Sequence, residues 1–253
     1  MKKYFVLLSI CCSVEALANH ASCLAAAYSA VEKVDEQTIQ FANGQQMKIG
    51  EKSSLPFSQL LQNATLADQL SQRYPLTFSV PKQYQDAGRI RNELFFKHLY
   101  GFNQQEIKKN LVSVYWAPSK SSVQFNRNNG ASEQLQKVGN EIAQYPDLIS
   151  YVNKSLGSFH FRKIAGTTRL STHSFGIAID FQLPKPLHKY WRWDGCKSED
   201  QPCPFPNVLM EDEKLKRIVM IFEKHGFIWG GKWASYDSVH FEYRPELLIA
   251  ACR

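Results

Sequence analysis

Two stretches, Ser171-Thr172-His173-Ser174-Phe175-Gly176-Ile177-Ala178-Ile179-Asp180 and Asp237-Ser238-Val239-His240-Phe241-Glu242, constrain this chain most, because each sets ionisable groups into an otherwise apolar run. Gly176 breaks the chain after His173, and residues 177–181 read as a strand. A period of two puts Ala178 and Asp180 on one face and Ile177, Ile179 and Phe181 on the other, toward a core. The small Ala178 leaves room beside Asp180. In the second stretch His240 and Glu242 share a face, opposite Val239, Phe241 and Tyr243. Only a fold that makes these strands neighbours lets His173, Asp180 and His240 converge.

The surrounding pattern suits such a sheet. Val112, Val114 and Trp116 alternate as a strand would, Val123 to Phe125 offers a second, and a turn is expected at Asn128-Asn129-Gly130. Leu135, Val138 and Ile142 follow helical spacing, with Pro146 expected to close that helix. Ser158 to Arg162 alternates again, placing Phe159 and Phe161 inward and His160 and Arg162 together on the other face. After a Trp-rich connection from Leu183 to Pro206, Leu215, Ile218, Val219 and Phe222 mark an amphipathic helix that stops at Gly226. There is no βαβ regularity and no Gly-rich nucleotide turn. The expected class is α+β, a small antiparallel sheet flanked by helices, over residues 111–253. Residues 19–110 read as a helical and irregular N-terminal appendage. It contains a hairpin around Asn43-Gly44, one short helix from Leu60 to Leu70, and a cluster Leu94 to Tyr100 that stops at Gly101.

Lys2 and Lys3 followed by the apolar run Tyr4 to Cys12 and by Ala16-Leu17-Ala18 have the three-part pattern of a secretory signal peptide, residues 1–18. The run is about half of the ~20 residues a spanning helix needs, so no transmembrane anchor is expected. Ile10 before Cys11 argues against a lipid-modified cysteine. The expected location is secreted, in the periplasm. Removing the leader takes away Lys2, Lys3 and Glu15, which leaves a modest positive balance without a run of like charges. Net charge speaks to partners and not to fold, and nucleic acid fits poorly with export. Of six cysteines, Cys23, Cys196, Cys203 and Cys252 lie beyond the leader. An even count in an exported chain points to disulfides, with Cys196–Cys203 as a local clip and Cys23–Cys252 joining the ends. None of the four shows the C-x-x-C spacing of a structural zinc site.

His173, Asp180 and His240 are the candidate metal ligands. Three protein ligands of this type leave a fourth tetrahedral position for water, as in a catalytic Zn2+ site. Asp237, three residues before His240, is the candidate base, and Arg162 the candidate partner for a developing oxyanion, with Arg169 second. Ser171 and Glu242 are candidates to orient ligands, Glu242 alternatively pairing with Arg244. Trp229 and Trp233 read as core or as groove lining. His20, His98, His188, His225 and, for the most part, His160 read as ordinary structural histidines.

The pattern Ser-x-His-x-x-Gly-x-Ala-x-Asp at 171–180 followed by Asp-x-x-His at 237–240 resembles the zinc D-Ala-D-Ala carboxypeptidase family, which includes vancomycin-resistance dipeptidases and endolysin L-Ala-D-Glu peptidases. The likeness extends through Phe161 to Thr167, Gly226 to Trp233 and His240 to Glu246, covering about residues 111–247. It implies a hedgehog-like α+β domain with zinc on His173, Asp180 and His240, Asp237 as general base, and peptidoglycan stem peptides as substrate. The dipeptidases carry glutamate where this chain has Asp237, and Arg162 matches the family's strand arginine only approximately. Hedgehog signalling domains keep the metal site without clear peptidase activity, so the alternative is a non-catalytic, metal-containing cell-wall-binding or signalling module.

Overall fold

The computed structural model describes residues 21–252; the leader reading at 1–18 lies outside them. Helical residues 21–27 (α1) lead into a three-stranded antiparallel sheet of β1 (Val31–Val34), β2 (Thr38–Phe41) and β3 (Gln46–Lys48), whose β2–β3 turn holds Asn43-Gly44 as expected. Where one helix was expected from Leu60 to Leu70 there are two, α2 (Phe57–Asn63) and α3 (Leu66–Leu70). The cause is local: Thr65 starts α3 with a capping box, its side chain accepting from Asp68 N while Asp68 accepts from Thr65 N. Next, α4 (Glu93–Tyr100) is capped by Asn92 and ends at Gly101, and α5 (Gln104–Lys109) follows.

A hairpin of β4 (Leu111–Trp116) and β5 (Ser121–Asn126) comes next, then α6 (Ala131–Ile142) and α7 (Pro146–Val152). Pro146 opens α7 and does not close α6, since proline lacks an N–H that the first helical turn would leave unused anyway. The sheet under the two motifs has four antiparallel strands in the order β6-β7-β9-β8: β6 (Ser155–Gly157), β7 (Ala178–Phe181), β8 (Phe227–Trp229) and β9 (His240–Tyr243). The strand expected over Ser158 to Arg162 is irregular chain, although Phe159 and Phe161 do pack against the core while His160 and Arg162 are exposed. Helix α8 (Val208–Glu211) precedes α9 (Glu213–Lys224), which is capped by Asp212 and stops at Gly226 with φ +86°.

The mixed helices and small antiparallel sheets are an α+β fold. Behind the sheet, Phe181, Phe222, Phe227, Trp229 and Phe241 stack with ring centroids 4.1–6.4 Å apart, and Trp116 joins them over Phe181 at 5.2 Å. The apolar faces of β7, β8 and β9 therefore look one way, which leaves Ala178, Asp180, His240 and Glu242 for the other. One hydrophobic cluster runs from Ala21 and Leu24 through Phe95 and Phe96 to Phe241, so the N-terminal helices share the core of the sheet.

Both expected disulfides are present, Cys23–Cys252 and Cys196–Cys203. The first closes a separation of 229 residues. In the chain-entropy account a loop of that size restricts the unfolded state by roughly 5 kcal/mol, with measured effects usually smaller. The Cys23→Ser/Cys252→Ser variant is expected to lose about 2–5 kcal/mol of unfolding free energy, read from denaturant unfolding, with a steeper slope because its unfolded chain is less compact.

Candidate metal centre

His173 sits in a single 3₁₀ turn, Thr172–Phe175, whose start is fixed by Ser171 Oγ accepting from His173 N at 3.3 Å. Gly176 ends the turn in the left-handed region, φ +67°, where its missing side chain also avoids Leu111. The chain then enters β7. In the β7–β9 register Asp180 lies opposite His240 and Ala178 opposite Glu242. The small Ala178 thereby gives Glu242 the space beside the two motif residues.

Three ligand-type atoms converge. His173 Nε2 lies 3.1 Å from Asp180 Oδ1 and 3.2 Å from His240 Nδ1, and His240 Nδ1 lies 2.9 Å from Asp180 Oδ1. Ligands roughly 2.0–2.1 Å from a tetrahedral ion stand about 3.3–3.4 Å apart, so the triangle is close to one face of such a tetrahedron. The outer ring nitrogens settle which inner ones are free. His173 Nδ1 donates to Ser158 O at 2.9 Å and His240 Nε2 donates to Glu242 Oε2 at 3.1 Å. When both imidazoles are neutral, each turns a lone pair toward the carboxylate oxygen of Asp180. Three electron-pair donors facing one another need a cation between them. The buried group His173, Asp180 and His240 is fit to hold a metal ion.

The electrostatics agree. Burial would raise the pKa of Asp180, but hydrogen bonds and charge from His173 and His240 outweigh it and hold the group far below the usual carboxylate range. Burial likewise opposes a charge on His240, yet Asp180 and Glu242 push its pKa well above the histidine range. Two carboxylates that retain a proton on a buried imidazole would equally favour a dication. Glu242 answers both alternatives raised by the sequence. It accepts from His240 and also from Arg244 Nη1 at 2.9 Å, and these partners hold it at about 2 against burial.

Asp237 and Arg162 line the same cavity of about 300 Å³ as the three ligands. Asp237 is half-buried, with its Oδ1 shut off from solvent and without a hydrogen-bond partner among the described residues. Burial, with the charge of Asp180 adding and those of His240 and His173 opposing, pushes it up to about 6. Arg162 is exposed and its Nη1 reaches only Lys163 O, at 3.4 Å. Arg169 is buried, with Nη1 donating to Arg89 O at 2.9 Å. Trp229 lies in the core, donating to Ser238 O, whereas Trp233 lines the cavity 5.7 Å from the His240 ring. Of the structural histidines, His98 stacks on Phe41, His188 on Trp193, and His225 meets Glu141; His160 is exposed, and His20 lies outside the described residues.

The sequence reading missed the N-terminal side of the cavity. Arg89 and Arg91 contribute to its wall, as do Tyr190, Trp191 and Glu199 of the long connection. Nothing in the spacing of Ile90-Arg91-Asn92 distinguishes it from a surface loop. Gly88, φ +107°, marks the close approach: a Cβ there would collide with Ile228 Cδ1, and Gly88 O accepts from Arg244 Nη1 at 2.7 Å.

This buried two-histidine, one-aspartate group on an antiparallel sheet, facing an open cavity, is the kind of centre metallopeptidases use. Residues 165–243 match the family model described as D-alanyl-D-alanine carboxypeptidase. The match agrees with the resemblance read in the motifs and supports peptidase activity in general. No curated protein and no solved structure matches the chain.

Because Glu242 fixes the His240 tautomer, Glu242→Gln is expected to weaken binding of a divalent metal ten- to a hundredfold, measured by competition with a chromophoric chelator.

Proposed function

We propose that this protein is an exported zinc peptidase that hydrolyses peptide bonds in peptidoglycan stem peptides. The carrying observation is the pairing of two features in one cavity: three inward-facing ligand-type atoms, and a half-buried Asp237 whose Oδ1 is shielded from solvent and has no partner among the described residues. A purely structural metal site has no use for a spare carboxylate, and a shielded, unpaired oxygen is costly to keep. This favours the enzyme over a wall-binding or signalling module. Two disulfides fit an oxidising compartment such as the periplasm, and among the described residues no helix is long and apolar enough to cross a membrane.

His173, Asp180 and His240 would hold the zinc ion. When bound, such an ion makes a water acidic near neutral pH and polarises a carbonyl. The remaining work falls to the chain. Asp237 Oδ1 takes a proton from the attacking water and passes it to the departing amine, which needs a carboxylate ionised at working pH. Ser158 O and Glu242 keep both imidazoles in the ligating tautomer throughout. Arg162, at the exposed part of the cavity wall, supplies positive charge where the carbonyl oxygen becomes negative; losing one such donor typically costs ~3–4 kcal/mol of transition-state stabilisation.

Zinc-loaded protein incubated with defined muropeptides is expected to release products resolvable by mass spectrometry; no cleavage across a stem-peptide panel overturns the assignment. Asp237→Asn is expected to lower kcat by about 10²–10⁴ with metal content retained, as determined by metal analysis. The active form of Asp237 is the ionised one, so kcat/KM should rise with pH. The midpoint of that acid limb is expected at or below about 6, since a cation on the neighbouring ligands lowers the Asp237 pKa from its buried value.

A further inference from the structure

Five arginines line the cavity: Arg89, Arg91, Arg162, Arg169 and Arg192. Most are accounted for. Arg89 pairs with Asp86 at 2.9 Å and with Glu199 at 3.0 Å, Arg192 meets Glu199 at 3.6 Å, and Arg162 is exposed to water. Arg91 and Arg169 differ. They are 3% and 6% exposed, and neither forms an ion pair among the described residues. Buried charges are almost always paired, because an isolated ion loses several kcal/mol of solvation.

The two side chains clasp each other's segments through neutral oxygens. Arg91 Nη2 donates to Leu170 O, and Arg169 Nη1 donates to Arg89 O at 2.9 Å. Arg91 also lies 5.6 Å from the Phe96 ring centroid. These contacts hold both guanidinium groups in place without neutralising them. Arg91 Nη1 and Arg169 Nε have no hydrogen-bond partner among the described residues. The nearby carboxylates are already engaged: Glu242 with His240 and Arg244, and Glu93 with Lys97 and Leu170 N. Burial depresses both groups, with Arg244 adding at Arg91, Arg91 and Arg89 adding at Arg169, and Glu242 and Glu93 opposing at both; Arg91 falls to about 10 and Arg169 to about 9, which leaves them charged at neutral pH.

We propose that Arg91 and Arg169 form an anion subsite that receives the free C-terminal carboxylate of the substrate, so that the protein acts as a carboxypeptidase and not on internal bonds. The proposal rests on the peptidase reading above. A guanidinium pair is geometrically matched to a carboxylate, and the match gains strength where water is excluded. A peptide continuing past the scissile bond would present a neutral amide there and leave two buried cations uncompensated. In the reaction, water adds across the last peptide bond: the new carboxylate stays on the shortened peptide, and the leaving nitrogen gains a proton and departs as a free amino acid. Arg169 lies inside the matched stretch 165–243 and Arg91 outside it, so the N-terminal segment of this chain completes the subsite.

Two measurements on one ligand pair test the subsite. Calorimetry on metal-free protein compares N-acetyl-D-alanyl-D-alanine with its C-terminal amide, and turnover of the same pair is followed on zinc-loaded protein. The acid is expected to bind at least tenfold more tightly and to be cleaved with at least a hundredfold higher kcat/KM. In Arg91→Met and Arg169→Met both acid-to-amide ratios should fall to within a few-fold of one, with Arg169→Lys partly restoring them. Equal binding and equal cleavage of acid and amide by the unaltered protein overturn the subsite, whether or not the variants fold. Preferential acid binding without cleavage of any stem peptide keeps the subsite and overturns the peptidase reading instead.

Discussion

Between His240 Nε2 and Arg244 Nη1 the carboxylate of Glu242 makes hydrogen bonds of 3.1 and 2.9 Å, with solvent excluded on every side. Removing one partner from such a buried ion pair typically costs ~3–5 kcal/mol, because the survivor is left charged and dry. The arrangement continues on both sides. Toward the cavity it passes through His240 to Asp180 and His173. Away from it Arg244 Nε donates to Glu246 at 2.7 Å, and Glu246 also accepts from Gln69 at 3.1 Å and from Tyr28. A polar chain therefore runs from the ligand atoms to α1 and α3, through the one face of β9 that the aromatic core leaves free. The orientation of the His240 ring and the docking of the N-terminal helices depend on the same carboxylate.

The cavity is assembled from both ends of the chain. The sheet supplies the three ligand atoms, and the loop before α4 supplies Gly88, Arg89 and Arg91, held by Arg244 and by Leu170 O. Positive charge along the wall is graded by its partners. Glu199 and Asp86 cancel it near Trp191, solvent screens it at Arg162, and it is uncancelled at Arg91 and Arg169. Such a field, confined by low-dielectric walls, attracts small anions toward the ligand triangle.

The parts that sequence made legible were those governed by short-range rules. Alternation in Ile177 to Phe181 and in Val239 to Tyr243 assigned the faces of β7 and β9, and their register brings Asp180 and His240 face to face. Asn43-Gly44 specified its hairpin, and Gly226 ended α9. Local chemistry competes with periodicity elsewhere: the Thr65–Asp68 capping box splits one expected helix in two, and Pro146 begins a helix instead of finishing one. Arg89 and Arg91 were invisible for a different reason. Their role arises from contacts about eighty residues away in sequence, with Leu170 and Arg169, and no local pattern encodes a partner at that distance.

The cystine joining residue 23 to residue 252 has a temporal side. Synthesis proceeds from the N-terminus, so Cys23 is made 229 residues before its mate. Cys196 and Cys203 appear between them and need only a seven-residue loop to find each other. Short-range closure removes those two from competition before the long bridge can form. The order of emergence thus guards the pairing: the small ring is sealed first, and the knot that locks Tyr28 near Glu246 is tied only once Cys252 arrives.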